Sequence, residues 1–371
     1  MKVRAAVLRG YERDWEVTEL DLDPPREHEV LIRFVAAGLC HSDEHLRHGD
    51  IAPRFPIVGG HEGAGVVEEV GPGVTRVRPG DHVVCSFIPA CGRCRFCSTG
   101  QQNLCDLGAN LSRGCLPDGT FRFHDRDEDV GATCMLGAFA NYSTISEYSC
   151  VRVEDDLPLE TAVLVGCGVP TGWGTAVHTA GVRPGDTVVV YGIGGIGINA
   201  VQGARHAGAR HVVAVDPVAM KREKAEELGA THSAAGAGEA HELVWGRLAP
   251  GVGADHALVT VGVVDEQVID DAFRVIRKGG QVTVTGVAAR AKKTIHVSGA
   301  ELTLFQKSIR GSLFGSSNPQ HDIPRLLDLY RSGELKLDEL VTRRYRLEEI
   351  NQGYRDLLEG RNLRGVIVHE H

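Results

Sequence analysis

Two rhythms divide the chain. Through about residue 150, short apolar-rich runs alternate with Gly and Pro: Glu29 to Ala36, Gly65 to Val70, Asp81 to Phe87 and Ala140 to Ile145. Each run is strand-sized, and such even punctuation predicts a compact β-rich domain. From Asp186 the rhythm changes. Thr187-Val188-Val189-Val190-Tyr191 reads as a buried strand, followed by a glycine-rich turn, a helix over Ile198 to His206 and a second strand over His211 to Asp216. A helix over Lys221 to Leu228 and strands at Ala257 to Val261 and Gln281 to Thr285 continue the alternation. Alternating strands and helices predict a parallel sheet with helices on both faces, an α/β fold. Helices over Ile323 to Tyr330 and Leu347 to Leu358, then a strand at Gly365 to His369, close the chain. There is no internal repeat. The stretch Ser233 to Glu239 reads as a short Ala/Gly-rich loop, and the polar stretch Asp106 to Gly131 carries no readable period.

Composition narrows the function classes. The 371 residues suffice for two domains of ordinary size, and an apolar fraction of 42% with 24% charged residues is that of a globular protein. The net charge is −9 with no basic tail or stripe, which argues against nucleic acid or an anionic membrane as partner. No segment approaches the ~20 apolar residues of a membrane span. Met1 to Gly10 lacks the regions of a signal peptide, so a cytoplasmic location is expected. In a reducing compartment the ten cysteines are not read as disulfides. Cys85, Cys115, Cys134 and Cys150 show no ligand spacing and read as small buried apolar residues.

The glycine-rich turn, Gly192-Ile193-Gly194-Gly195-Ile196-Gly197, fits G-x-G-x-x-G. Alone the pattern is weak. Here it follows a strand, opens a helix, and is completed by Asp216, 19 residues after Gly197 at the end of the next strand. A dinucleotide-binding βαβ unit requires that spacing. Gly192 permits the tight turn, Gly194 lets the backbone approach a pyrophosphate, and Gly197 allows close helix–strand packing. Gly195 lies between them. The helix N-terminus offers N–H groups and partial positive charge to phosphate. Asp216 can accept both ribose hydroxyls and would repel a 2′-phosphate, which favours NAD over NADP. Pro217 follows it, and the nearest cations are Lys221 and Arg222. Lys221 could swing to the ribose or lie on a solvated helix face.

Cysteine spacing points to metal. Cys91-x2-Cys94-x2-Cys97-x7-Cys105 puts four thiols within 15 residues. Zinc takes four thiolates tetrahedrally at ~2.3 Å, and a set with no open position is a structural site. A ferredoxin cluster shares Cys-x2-Cys-x2-Cys, but the fourth interval here is seven residues and no Cys-Pro follows. A second set spans long distances: Cys40 in Gly-Leu-Cys-His-Ser, His61 in Gly-Gly-His-Glu and Cys167 in Val-Gly-Cys-Gly. Three ligands leave a fourth position for water or a substrate oxygen, as catalytic zinc requires.

These contexts resemble the zinc-containing medium-chain alcohol dehydrogenases over essentially the whole chain. Gly60-His61-Glu62-Gly63-Ala64-Gly65 with Gly71 and Val74 fits that family's zinc signature at every fixed position. The resemblance implies a GroES-like catalytic domain, residues 1–168 and 316–371, and a Rossmann NAD-binding domain, residues 169–315. It implies Cys40, His61 and Cys167 as catalytic zinc ligands, Cys91, Cys94, Cys97 and Cys105 as structural ones, and hence two Zn2+ per chain. Glu62 would be a carboxylate able to replace water as a ligand, and Asp43 would fix the tautomer of His61. Ser42 and His45 would form a proton relay, Phe87 would line the substrate pocket, and Thr171 would pack near the nicotinamide. Arg364 would reach the pyrophosphate. His41 stands where many members carry arginine, a weaker and titratable phosphate partner.

Within the family, Gly38-Leu-Cys-His-Ser-Asp-Glu-His-Leu-Arg47 and Ser86-Phe-Ile-Pro-Ala-Cys-Gly-Arg-Cys-Arg95 look closest to the nitrosoaniline-dependent alcohol dehydrogenases of actinobacteria. Those are nicotinoproteins, in which NAD(H) stays bound and an external acceptor, the redox peptide mycofactocin, re-oxidises it. The resemblance therefore implies a primary alcohol or its aldehyde as substrate, and a homo-oligomer, dimer or tetramer. A thiol-adduct formaldehyde dehydrogenase is the neighbouring alternative; it would need an anion-binding pocket for the thiol's carboxylates, and none is legible. A zinc-independent enone reductase, or a non-catalytic scaffold on the same fold, would have shed the three ligands that this chain keeps.

Overall fold

Thr187–Tyr191 is buried along its whole length, as a run of valines between two layers of helices must be. It lies at the centre of a six-stranded sheet in the order His232–Ala234, His211–Val215, Thr187–Tyr191, Ala254–Val259, Ile276–Val284, Ser308–Gly311, every pair parallel. The order reverses on either side of Thr187–Tyr191, which makes that strand's carboxyl end a switch point where open α/β sheets take ligands. Helices Gly197–His206, Ala219–Glu227, Ala237–Leu243 and Glu266–Val275 supply crossovers. This is the doubly wound Rossmann sheet.

The computed structural model describes residues 1–292 and 294–371. They divide into two units: Gly168–Ser317, which holds this sheet, and Met1–Cys167 with Asn318–His371.

Two local expectations change in the first unit. Ser233 to Glu239 is not a simple loop: His232–Ala234 is the outermost strand, and the helix Ala237–Leu243 begins inside the stretch. Three residues become a strand here because they pair in register with Val213 to Val215, a partner that local composition does not reveal. The helix Glu266–Val275 is the second addition. Its acidic first turns mask an amphipathic pattern that buries Ile269, Ala272, Phe273 and Val275. Asp265 caps it, accepting the Val268 N–H at 2.8 Å.

The other unit is built on the ten-residue strand Glu29–Gly38. It pairs antiparallel with Gly63–Val70, with Tyr142–Ser146 and with the chain's closing strand Arg364–Val368. Val366 lies opposite Gly38 and Val368 opposite Ala36. The last strand is thereby stitched beside the segment that leads into Cys40. A closed barrel forms a second layer from Lys2–Leu8, Glu16–Leu22, Phe123–Asp125, Glu128–Ala132 and Ile57–Val58. The unperiodic stretch Asp106 to Gly131 thus contains a barrel hairpin, turned at Arg126 with φ 58°. Its charged face is solvent-side, which hides the alternation. The core contains Phe34, Phe123 and Phe139, all fully buried, with Trp15 edge-on to Phe139. Among the cysteines without ligand spacing, Cys85, Cys115 and Cys150 are buried; Cys134 is half-buried, on a left-handed backbone at φ 53°.

Candidate active site

The loop after Ala90 wraps four sulfurs around one point. Cys91 Sγ lies 3.9 Å from Cys97 Sγ, and Cys94 Sγ lies 4.0 Å from Cys105 Sγ. A tetrahedron of thiolates at ~2.3 Å from zinc has edges of about 3.8 Å, whereas a disulfide would need ~2.05 Å. Backbone N–H groups point at the sulfurs: Cys94 N to Cys91 Sγ at 3.3 Å, Cys97 N to Cys94 Sγ and Cys91 N to Cys105 Sγ at 3.4 Å. Such donors stabilise thiolates. Burial pushes the Cys94 thiol up, but the backbone at Asp106 and Cys97 and the adjoining thiols outweigh it, bringing it to about 6. The donor set fits a closed zinc site.

The second cluster brings Cys40, His61, Glu62 and Cys167 together, with one ligand atom from each within 4.8 Å of all the others and all four residues buried. Cys40 ends the long strand's path and precedes the helix His41–His48. His61 and Glu62 lead into Gly63–Val70, and Cys167 follows the turn Val163–Gly166. Sheet pairing between Glu29–Gly38 and Gly63–Val70 sets the first two side by side: Ala37 lies opposite Gly63, and the Gly38 N–H donates to Glu62 O at 3.1 Å. Asp43, fully buried, holds His61 from behind, with Oδ2 2.9 Å from Nδ1 and Oδ1 accepting the Gly60 N–H at 3.0 Å. A proton on Nδ1 leaves Nε2 as the ligating nitrogen. Among the described residues both ring nitrogens are buried and neither has a hydrogen bond of good geometry; only Nδ1 has a carboxylate at pairing distance, which leaves Nε2 for a metal. Cys167 as hydrogen-bond donor lowers the Cys40 thiol well below the usual thiol range against its burial, helped by His61 and Arg364 nearby. The two thiols and the imidazole fit zinc.

Arg364 is carried into this cluster by the closing strand. Its Nη2 donates to Glu62 Oε2 across 302 positions of sequence, and both side chains are buried. Burial raises Glu62 above the usual carboxylate range while the guanidinium opposes the shift. The structure thus sets Arg364 on Glu62, a pairing no linear pattern announces. Ser42 Oγ lies 3.6 Å from Cys40 Sγ. Phe87 stands edge-on to His61 with ring centroids 5.9 Å apart. His41 and His45 have ring centroids 5.1 Å apart, and burial together with His45 holds His41 below the usual histidine range. His45 Nδ1 meets Asp50 Oδ2 at 2.8 Å; sequence reading missed Asp50, which has no motif of its own.

In the Rossmann unit, Gly192 turns with φ 88°, and a Cβ there would press on Val261 Cα at 2.7 Å. A Cβ on Gly197 would run into Gly192 O, so helix and strand meet without side chains between them. At Gly194 a Cβ would meet no protein atom within 4 Å; the backbone there lies open to a ligand. Gly195 O accepts from Asn199 Nδ2 at 2.8 Å, which pins the loop to the helix. Asp216 Oδ2 accepts the Ile193 N–H at 2.8 Å and Oδ1 the Val218 N–H at 2.9 Å. Both oxygens keep a lone pair, so the set fits a dinucleotide ribose. Arg222 Nη1 is anchored on Asp216 O at 2.7 Å and Pro217 O at 3.0 Å. Lys221 sits half-buried in the first turn of the same helix, and Thr171 is buried in the helix Gly168–Gly174.

A thiolate–imidazole metal cluster in a GroES-like unit and a glycine loop on a Rossmann sheet define a zinc-dependent, nicotinamide-using alcohol oxidoreductase. Residues 26–155 match the alcohol dehydrogenase GroES-like domain, and residues 195–332 match the zinc-binding dehydrogenase family. The chain belongs to the zinc-containing medium-chain alcohol dehydrogenases. It is 64% identical over 373 residues to the NDMA-dependent alcohol dehydrogenase of Amycolatopsis methanolica, covering 100% of this chain and 99% of that one. Among solved structures, an alcohol dehydrogenase zinc-binding domain protein from Burkholderia ambifaria has a TM-score of 0.92 at 34% identity, with 100% of both chains covered. Benzyl alcohol dehydrogenase from Acinetobacter calcoaceticus has a TM-score of 0.91 at 31% identity, again over 100% of both chains. Among the described residues no helix is long and apolar enough to cross a membrane.

Proposed function

We propose that this dehydrogenase oxidises a primary alcohol to its aldehyde with two zinc ions per chain, and with NAD(H) held through turnover until an external acceptor re-oxidises it. The observation that carries the catalytic part is the convergence of buried Cys40, His61 and Cys167, with ligand atoms within 4.8 Å of one another. Cofactor retention is supported by the similarity to a relative named for its dependence on NDMA, an added acceptor. Zinc held by Cys40, His61 and Cys167 would supply a Lewis acid to acidify the alcohol, and a bound nicotinamide would supply the hydride acceptor.

The chain's own residues do the rest. Asp43, 2.9 Å from His61 Nδ1, holds the imidazole and leaves Nε2 for the metal. Arg364 compensates the Glu62 charge, which keeps a carboxylate beside the thiolates without a bare buried anion. Ser42, beside Cys40, takes the alcohol proton at Oγ, and His45 passes it outwards. Phe87 gives the alcohol a flat apolar wall. Thr171 would pack by the nicotinamide, and Asp216 with Lys221 would hold the ribose. His41 and Arg364 serve the pyrophosphate.

A homo-oligomer is supported by the outermost strand Ser308–Gly311, where Ser308, Arg310 and Gly311 are exposed. Exposed Leu302, Leu304, Phe305 and Leu313 lie nearby in sequence. Ten free cysteines fit a reducing, cytoplasmic setting.

Two measurements test the reading. Denatured protein is assayed for released NAD(H), and native protein for zinc. Stoichiometric cofactor and two zincs per chain are expected, with turnover driven by an artificial acceptor. Empty protein that reduces added NAD would refute retention, and a single tetrathiolate zinc would refute the catalytic site.

A further inference from the structure

The helix His41–His48 ends at Gly49, whose φ of 86° is open to few residues but glycine. The Gly49 N–H donates to His45 O at 3.1 Å, and the Ile51 N–H donates to the same oxygen at 3.2 Å. This reversal folds residue 50 back over the helix end. It sets Asp50 Oδ2 2.8 Å from His45 Nδ1, with the imidazole 4% exposed and the carboxylate 19% exposed. The ring of His41 flanks His45. Of the charged groups on the same helix, Glu44 is taken by Arg47 and His48, and His48 also meets Glu12. Asp50 thus places a carboxylate against the His45 ring.

We propose that Asp50 is a positioning residue of the proton path, an inference that rests on the reading of Ser42 and His45 as a relay. Its carboxylate holds the proton of neutral His45 on Nδ1 and presents Nε2 as the accepting atom. A proton from the Ser42 side adds to Nε2 and gives an imidazolium with both nitrogens protonated. Asp50 stabilises that cation without taking the proton, as the buried carboxylate of a catalytic triad does. Water then removes the Nε2 proton and the starting tautomer is restored. The chain reversal at Gly49 is what brings Asp50 onto Nδ1 and makes His45 a directional acceptor.

The test uses the zinc-loaded full chain with its cofactor. Long-range 1H–15N spectra of histidine-labelled protein, with His45 assigned by its loss in His45→Gln, should show the Nδ1–H tautomer in the parent and a mixture in Asp50→Ala. In steady-state assays at pH 6.5, Asp50→Ala should lower kcat about 10-fold with KM changed less than about twofold, below the ~100-fold or more of a direct general acid or base, because Asp50 acts through His45. Asp50→Glu should recover most of that loss. The double variant Asp50→Ala/His45→Gln should be no slower than His45→Gln alone. An unchanged tautomer in Asp50→Ala overturns the proposal, and so do multiplying losses in the double variant. If His45→Gln leaves kcat untouched, the relay reading fails, while the tautomer spectra still decide whether Asp50 orients the ring.

Discussion

His369, the residue after the closing strand, gives a quantitative handle on how that strand is held. Its side chain is buried, Nε2 donates to Ala138 O at 3.0 Å, and its backbone N–H donates to Val35 O at 3.0 Å. Burial is the main cause that takes its pKa from 6.5 to about 4. The folded state therefore holds His369 neutral at pH values where the unfolded chain protonates it. Between about 4 and 6.5 the unfolded state binds more protons, so stability falls as pH falls. The contribution is fully present above the unfolded pKa and lost as pH drops through the folded one. From the two pKa values the loss is about 2 kcal/mol at pH 5 and about 3 kcal/mol below pH 4. His369→Gln keeps an N–H donor for Ala138 O but cannot titrate. Melting temperatures of the two proteins, taken from pH 8 to pH 4.5, should run parallel above pH 7. At pH 5 the parent should have fallen about 4–8 °C further than the variant, at ~2–4 °C per kcal/mol. Parallel curves down to pH 4.5 would refute the claim that this histidine is buried neutral.

Three further outcomes test the sites. Cys97→Ser removes one of four thiolates, and the bound zinc should fall by one per chain on metal analysis; unchanged stoichiometry would sink the closed-site assignment. Asp43→Asn, which weakens the hold on His61 Nδ1 at 2.9 Å, should lower affinity for the catalytic zinc about 10- to 100-fold in chelator competition. Equal affinity would show that the carboxylate does not orient the ligand. Gly197→Ala drives a Cβ towards Gly192 O and to 2.8 Å from Thr260 Oγ1; with ~1–3 kcal/mol of overpacking, NAD(H) binding should weaken roughly 10-fold or more in fluorescence titration.

The features legible in the sequence are those whose parts lie close along the chain. The tetrathiolate loop spans 15 residues, so its spacing alone discloses a ligand set. The valine run, the glycine turn and Asp216 form one local βαβ unit, whose register with its neighbours then follows. Helix Glu266–Val275 went unread: Asp265 caps it, but its charged first turns obscured the apolar face. The strand His232–Ala234 was not readable, since three residues acquire their conformation only from the strand beside them.

Residue identity alone determined the chemistry on offer: soft thiolates and imidazole for zinc, a carboxylate at the ribose position, a hydroxyl and imidazole for a proton. Tertiary structure decided which groups meet. Cys40 and His61 converge because antiparallel pairing brings Glu29–Gly38 against Gly63–Val70, and Cys167 joins them from the turn Val163–Gly166. Arg364 reaches Glu62 only because the last strand closes the same sheet, and Asp50 reaches His45 only because Gly49 reverses the chain. Hydrogen bonding and charge pairing act over a few ångströms, a separation that distance along the chain does not encode. The fold fixes it.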